Sequence, residues 1–201
     1  MKKEVFFDVE TKKIFDDIEG SNPADLGVSV VSVYTRKLNE NYQETEGKMQ
    51  SFWEEDFAKM WPLFAEADRI IGFNSIHFDV PALEPQAPYD FKKLKHFDIL
   101  EKVKSSLGFR LSLNAIARET LNQEKIDNGL NAVYYWQEHT PESLEKLRKY
   151  CEMDVIVTKN IYDFALKNQQ LKYKDKWNTP RIIEVDFSYP KEEAVPQMGL
   201  F

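Results

Sequence analysis

Two acidic side chains stand close together in an apolar segment near the start of the sequence. Asp8 falls within the valine- and phenylalanine-rich run Val5–Val9, and Glu10 follows it directly. Alternate side chains of an extended strand share one face, so the two carboxylates project side by side, about 7 Å apart. Adjacent carboxylates on a central strand are costly unless cations neutralise them. The pair therefore predicts ligands for divalent cations, with a solvated strand face as the alternative.

A third acidic residue interrupts the apolar stripe of a helix predicted over residues 141–168. Leu147 and Ile161 lie seven residues before and after Asp154, about 20° around the helix axis, so we expect its carboxylate to face inward with them. An inward carboxylate needs a partner, which is either a cation-binding site or a lysine or arginine. Tyr150 lies one turn earlier on nearly the same face, where its hydroxyl can reach a water beside Asp154.

A fourth acidic residue follows a short buried strand. Residues 70–73 read as a strand, Asn74 and Ser75 as a turn, and Asp79 falls in the first turn of the next helix. Sites in α/β proteins lie where strand ends lead into helix starts. The alternative for Asp79 alone is a favourable interaction with the helix dipole.

The elements that must position these residues alternate between strand and helix. With 201 residues, 42% of them hydrophobic, the chain is long enough for one α/β domain with one core. The predicted strands are 5–9, 26–35, 42–45, 69–73, 94–97 and 181–187. The predicted helices are 52–67, 77–84, 98–107, 112–121 and 141–168, with Asp98 as a helix cap.

The charge balance gives no general attraction for a polyanion, because the net charge is -7. Binding of nucleic acid would therefore depend on local features: divalent cations in an acidic cleft, or a basic segment at its rim. The segment Lys167–Arg181 contains five basic residues with Tyr173 and Trp177 among them. This mixture is typical of a grip on a single strand, and a solvated helix end is the alternative.

The sequence contains one cysteine, Cys151, which excludes an internal disulfide framework and suits a reducing cytosol. We expect it to be a small core residue. Acidic residues interrupt the first apolar segment, so no signal peptide is predicted. The other apolar runs are far shorter than the roughly 20 residues that span a bilayer. We therefore expect a cytoplasmic protein without a membrane partner.

Three segments together resemble a known set of motifs: Phe7–Thr11, Gly72–Leu83 and Tyr150–Val155. Their order and spacing resemble the exonuclease motifs of the DnaQ-like superfamily. The middle segment is most similar to the proofreading domains of family B DNA polymerases, and the tyrosine of the third is typical of the DEDDy branch. The resemblance spans residues 5 to about 165 without a polymerase, as in the stand-alone group of predicted 3′-5′ exonucleases related to those domains.

The resemblance implies a ribonuclease H-like α/β fold, with a mixed central sheet of about five strands flanked by helices, over residues 1–189. It implies two Mg²⁺ or Mn²⁺ ions held by four carboxylates: Asp8 bridging both ions, Glu10 and Asp154 completing the nucleophile site, and Asp79 supporting the second ion. Tyr150 would orient the attacking water. The pocket for the terminal nucleotide would be lined by Thr11, Asn74 and Phe78.

The activity that the resemblance implies is metal-dependent release of nucleoside 5′-monophosphates from the 3′ ends of single-stranded or frayed DNA. One alternative is the same chemistry on RNA, because the motifs do not read the 2′ hydroxyl. The other is a module that binds nucleic acid or a sliding clamp without catalysis. The presence of all four carboxylates and Tyr150 argues against that second alternative.

The last segment, residues 190–201, has the composition of a flexible tail. Its final five residues resemble the pentapeptide that binds the bacterial sliding clamp, in which a glutamine makes polar contacts and a Leu-Phe pair fills an apolar pocket. Gln197, Leu200 and Phe201 occupy those positions. The tail therefore predicts a clamp partner and a role in DNA replication or repair.

Overall fold

The chain is built around a mixed β-sheet, as seen in a computed structural model that describes residues 1–123 and 129–190, with 129 and 130 described by their backbone only. The strands in these ranges are β1 (Lys2–Thr11), β2 (Val28–Leu38), β3 (Glu44–Trp53), β4 (Arg69–Gly72), β5 (His96–Asp98), β6 (Gln170–Lys174) and β7 (Pro180–Glu184). The α-helices are α1 (Trp61–Ala65), α2 (Asp79–Leu83), α3 (Ile99–Leu107), α4 (Leu113–Leu121), α5 (Gly129–Glu138) and α6 (Pro141–Asn168).

Five strands form the main sheet of the described chain, in the order β3-β2-β1-β4-β5. β1 pairs antiparallel with β2 and parallel with β4, so it is the central strand. β3 adds antiparallel to β2, and β5 adds parallel to β4. Helices flank this sheet, which confirms the predicted α/β fold with a mixed sheet of about five strands.

The two faces of β1 bury different clusters. Phe6 packs edge-on against Tyr162 of α6, with ring centroids 5.3 Å apart. Phe7 points to the other face and packs against Phe64 of α1, also at 5.3 Å. Because side chains alternate along a strand, the residues at even positions of β1 face α6.

The long helix α6 begins where the sequence predicted. Thr140 is its N-cap, and the Thr140 hydroxyl accepts a hydrogen bond from the backbone N–H of Ser143 at 3.1 Å. Proline at the first position of the helix fits this start, because its missing N–H would have no partner there. Neither α6 nor any other helix in the described part of the chain is long and apolar enough to cross a bilayer.

The predicted helix over 52–67 is wrong in its first half. The weak strand predicted at 42–45 extends to Trp53 as β3, and Phe52 pairs with Val31 of β2. A 3-10 turn, Glu54–Lys59, follows before α1 begins. Strand pairing with β2 therefore overrides the helical spacing of the apolar residues.

Two elements were not predicted, α5 and β6. The predicted final strand over 181–187 is shorter, and it pairs with β6 as a separate two-stranded sheet rather than joining the main one. The basic segment Lys167–Arg181 therefore forms mostly a β-hairpin, not a helix end, because α6 ends at Asn168.

Candidate metal centre

The central strand carries the first two carboxylates to the face of the sheet that α6 covers. Asp8 and Glu10 are both half-buried, at even positions of β1. β1 continues beyond β4, because the pairing between these strands ends at Phe6. The N–H of Val9 therefore has no β4 residue opposite it, and the Asp79 carboxylate accepts it at 3.1 Å. That hydrogen bond ties the fourth carboxylate to the strand that carries the first two.

A tight turn connects β4 to α2 and places Asp79. A Cβ atom at Gly72 would lie 2.4 Å from the Cβ of Ser75, so only glycine allows this close approach. Asn74 adopts a left-handed conformation with φ 63°, which asparagine tolerates better than most residues. The chain then enters α2, where the Asp79 side chain is buried with 4% exposure.

The helix α6 supplies the remaining groups. Its Cys151 is buried, and the Cys151 thiol donates to the backbone carbonyl of Asp8 at 3.4 Å, which holds α6 against β1 at this level. Asp154 follows one turn later, and Asp8 and Asp154 line one cleft of about 490 Å³. The two carboxylates thus lie on the same side of the sheet, although their positions in the sequence are far apart.

Burial raises the pKa values of all four carboxylates. For Asp8, burial raises the pKa well above its ordinary value, and the neighbouring charges of Asp79, Asp154 and Glu10 raise it further. The pKa of Glu10 is also raised well above its ordinary value, by burial and then by Asp154 and Asp79. The four groups therefore act on one another as a cluster of like charges.

The other two carboxylates are shifted less because hydrogen bonds oppose burial. Burial raises the pKa of Asp79 to about 7, although backbone N–H groups, including that of Val9, lower it. Burial raises the pKa of Asp154 to about 6, and the Tyr150 hydroxyl lowers it. Burial and the Asp154 charge raise the pKa of Tyr150 itself, so this phenol stays protonated near neutral pH.

The donor set fits hard divalent cations. Among the described residues no lysine or arginine forms an ion pair with any of the four carboxylates, so the alternative of a basic partner for Asp154 is not found. Ligand atoms of Asp8, Glu10 and Cys151 lie within 4.8 Å of one another. Burial raises the pKa of Cys151 well above its ordinary value, which leaves a neutral thiol. The chemistry of the carboxylates, and not that of the thiol, therefore fits a hard ion.

The three residues predicted to line a nucleotide pocket lie in different surroundings. Asn74 lines the cleft together with Asp8 and Asp154. Phe78 is half-buried, and its ring packs edge-on against the exposed Phe15 at 6.1 Å. Thr11 is buried with 7% exposure, and its hydroxyl donates to the carbonyl of Lys13 at 2.8 Å. The predicted partner residues Gln197, Leu200 and Phe201 lie outside the described residues.

Sequence reasoning assigned Asp98 to a helix cap, and its carboxylate does accept from Leu100 N at 2.9 Å in the first turn of α3. The sequence did not indicate a second structural role of the Asp98 carboxylate. Asp98 is buried and also accepts from the backbone N–H groups of Asn74 and Ile76, at 2.9 and 3.0 Å. It thereby fixes the turn beside the cleft. Residue spacing does not indicate these hydrogen bonds, because they join the end of β5 to the turn after β4.

Fold and site together define a class of protein: a ribonuclease H-like domain in which carboxylates from a central strand and a facing helix meet in one cleft. Within this class, the RNase_H_2 family model of the RNase H superfamily matches residues 5–166. The chain belongs to that superfamily, whose nuclease domains act on nucleic acid. A comparison with curated proteins finds no match.

Proposed function

We propose that this protein is a two-metal-ion 3′-5′ exonuclease of the DEDDy type, which hydrolyses the terminal phosphodiester bond of single-stranded or frayed DNA ends. One observation carries the proposal: Asp8 of β1 and Asp154 of α6 line a single cleft in which no described cation pairs with either. Tyr150 beside Asp154 and the order of the three motifs support the DEDDy assignment.

The residues that would hold the ions are Asp8, Glu10, Asp79 and Asp154, and Mg²⁺ or Mn²⁺ suits this all-carboxylate set. When bound, two such ions lower the pKa of the attacking water and stabilise the leaving 3′ oxygen. They also offset the mutual repulsion that raises the carboxylate pKa values in the ion-free protein.

This assignment predicts that divalent cations stabilise the protein more at pH 8 than at pH 5. In the folded protein, Asp79 and Asp154 have pKa values of about 7 and 6, above the ordinary aspartate pKa of 3.8. Protonation of these two groups stabilises the folded protein fully below pH 3.8. This contribution to the free energy of unfolding is lost as the pH rises through 6 and 7. Cations compete with those protons, so their effect grows over the same window. Melting temperatures with Mn²⁺ and with chelator, from pH 5 to 8, measure it.

The matched variant for this experiment is Asp154→Asn. With one titrating carboxylate removed, its melting temperature in chelator should fall less between pH 5 and 8 than that of the wild type. The variant should also gain less from Mn²⁺. An equal gain from Mn²⁺ at every pH in the wild type would contradict the assignment of these carboxylates as ligands.

The side chains of this cleft have distinct tasks in the proposed hydrolysis. Tyr150, protonated at neutral pH, donates a hydrogen bond that orients the attacking water beside Asp154 rather than acting as a base. Water oxygen bonds to phosphorus in line with the leaving group and loses one proton to solvent. The bond from phosphorus to the 3′ oxygen breaks, and that oxygen takes up a proton from solvent. The products are a nucleoside 5′-monophosphate and a strand shortened by one nucleotide.

The size of the cleft supports attack at a strand end. Its volume of about 490 Å³ lies within the range of roughly 300–1,000 Å³ that holds one small ligand. We propose that the space for the terminal nucleotide is lined by Asn74, Phe78 and Thr11. Of these, Asn74 lines the cleft itself, and Phe78 lies beside the exposed ring of Phe15.

The test is digestion of a 5′-labelled single-stranded DNA oligonucleotide with Mg²⁺, Mn²⁺ or chelator. We expect a ladder of labelled strands shortened one nucleotide at a time from the 3′ end, with no digestion in chelator. A 3′-terminal block should stop the reaction, and a 5′ block should not. Cleavage of a circular single strand would contradict the exonuclease assignment.

A matched RNA oligonucleotide in the same assay separates the two substrate classes. Faster digestion of RNA would make the protein an exoribonuclease with the same site, because none of the four carboxylates recognises the sugar. Binding of either strand without any digestion would support the non-catalytic alternative.

We also propose that the tail from residue 190 binds a bacterial sliding clamp through Gln197, Leu200 and Phe201. A Leu-Phe pair on a polar segment supports this, because exposed apolar pairs are typical of docking motifs. Clamp binding would bring the nuclease to DNA in replication or repair. We propose a cytoplasmic location on the same ground, together with the single buried Cys151.

A further inference from the structure

The link between α3 and α4 forms part of the lining of the cleft. Arg110 lies in this link, and it lines the same cleft as Asp8, Asn74 and Asp154. The Arg110 side chain is exposed. A guanidinium is therefore present at the cleft that Asp8 and Asp154 also line.

Within the described residues, no carboxylate neutralises the charge of Arg110. Its hydrogen bond goes to the neutral side-chain oxygen of Asn74, at 2.6 Å, and within the described ranges no carboxylate forms an ion pair with it. Four other arginines pair with carboxylates: Arg36 with Glu4, Arg118 with Glu119, Arg148 with Glu145, and Arg181 with Asp175. Arg69 is held by Tyr162 and backbone carbonyls inside the protein.

The partner of Arg110 is itself held rigidly. Asn74 has a left-handed backbone with φ 63°, and its N–H donates to the buried Asp98 carboxylate at 2.9 Å. A second bond from Ile76 to Asp98, at 3.0 Å, fixes the other side of the turn. The Asn74 side chain is therefore presented to Arg110 by a constrained turn and not by a mobile loop.

This arrangement keeps a positive charge available for an anion. Arginine has five N–H donors in a fork that matches phosphate, and one bond to Asn74 leaves most of them for another ligand. The acceptor on Asn74 is neutral, and in the described structure the guanidinium forms no ion pair with Asp8 or Asp154. With a net charge of -7, the protein gains more from a local cation than a basic nuclease would.

We propose that Arg110 binds a backbone phosphate of the nucleic-acid strand in the cleft, and that Asn74, held by Asp98, positions its guanidinium for that contact. Arg110 is a binding residue that fixes the strand relative to the carboxylates, with Asn74 and Asp98 as positioning residues. The inference rests on the proposed nuclease function and names the contact by which that site holds its substrate.

The test uses single-stranded DNA oligonucleotides in which one phosphodiester at a time, counted from the 3′ end, is replaced by an uncharged methylphosphonate. Binding is measured by fluorescence anisotropy with Ca²⁺ in place of Mg²⁺. For the unmodified strand we expect Arg110→Ala to bind on the order of 10-fold more weakly than the wild type. At one linkage the neutral group should weaken the wild type by a similar factor and leave Arg110→Ala unaffected.

The salt dependence of binding gives a second readout. Loss of one phosphate contact in Arg110→Ala should reduce the steepness of the plot of log affinity against log salt concentration by about 0.7 for a single strand. The matched control is Arg118→Ala, an exposed arginine of α4 paired with Glu119, which should keep the wild-type response. Asn74→Ala should weaken binding but retain the response to the neutral linkage, because the guanidinium remains.

Three outcomes overturn the inference. Arg110→Ala could respond to every neutral linkage as the wild type does, Asn74→Ala could lose the linkage response as fully as Arg110→Ala, or the wild type could fail to bind the strand. The digestion assay reports on the nuclease proposal separately. Digestion without a linkage response rejects the role of Arg110 alone, and a linkage response without digestion rejects catalysis alone.

Discussion

Replacing Asp8 with asparagine is expected to abolish metal-dependent release of mononucleotides and, at the same time, to stabilise the ion-free protein. An amide cannot serve as a charged ligand for two cations, and loss of a single electrostatic contact in an active site costs about 10²–10³-fold in rate. We therefore expect a loss on the order of 10³-fold or more. The Asp8 pKa is raised by burial and by three neighbouring carboxylates, so removing its charge relieves their repulsion.

The two effects are measured by digestion of a labelled strand with Mn²⁺ and by the melting temperature in chelator at pH 8. The matched control is Asp90→Asn, an exposed aspartate paired with Lys93, which should leave both quantities unchanged. A variant at Asp8 that digests DNA at the wild-type rate would remove Asp8 from the site. A variant that is less stable in chelator would show that the carboxylates are not a repulsive cluster.

Among the proposed variants, replacing Arg36 with methionine should lower the free energy of unfolding most, by about 3–5 kcal/mol. Arg36 forms an ion pair with Glu4 at 2.7 Å, and the two side chains are 5% and 0% exposed. Without Arg36, the Glu4 carboxylate remains buried with only the hydroxyls of Tyr162 and Tyr189 as described partners. Urea denaturation measures the change, provided that the slope of the transition is unaltered.

The matched control is Lys37→Met, the next residue of β2. Its ion pair with Glu46 is exposed, so its loss should cost at most about 1 kcal/mol. The double variant Arg36→Met/Glu4→Gln should recover part of the lost stability, because it removes the unpaired charge as well. A single variant at Arg36 that matches Lys37→Met would refute the view of this pair as a buried, mutually dependent unit.

The two main elements that hold the carboxylates were predictable because each has a strong local sequence signal. β1 contains the β-favouring run Val5–Phe7, which is buried on both faces of the sheet, and α6 repeats its apolar positions over 28 residues from a clear N-cap. The segment after Lys48 has no single period. Phe52 and Trp53 end a strand, and the helical spacing begins only in the turns that follow, so one helix was predicted across both.

The short elements were missed for a related reason. β6 has only five residues, directly after α6, and its two buried side chains, Leu171 and Tyr173, are too few to establish an alternation. Its stability comes from pairing with β7 and from packing on α4. Thr120 of α4, for example, accepts from the N–H of Lys172 at 2.9 Å.

The residues of the candidate site also differ in how well the sequence predicts them. The carboxylates could be found because their motifs have fixed spacing within a strand or a helix. The role of Arg110 and the contact of Asp98 with Asn74 could not be found, because each contact joins residues that lie far apart in the sequence. A single arginine between two helices has no pattern that distinguishes it from an ordinary surface residue.

The last described segment is anchored at the start of the central strand, away from the candidate metal centre. Arg69, the first residue of β4, binds the carbonyls of Phe187 and Ser188 at 2.7 and 3.1 Å. The Tyr189 hydroxyl donates to Glu4 at 2.8 Å, near the start of β1 and about 13 Å along that strand from Asp8. A fluorophore or a surface tether inserted directly after residue 190 would therefore be attached near the start of the central strand, at the end of β1 that lies away from Asp8 and Glu10.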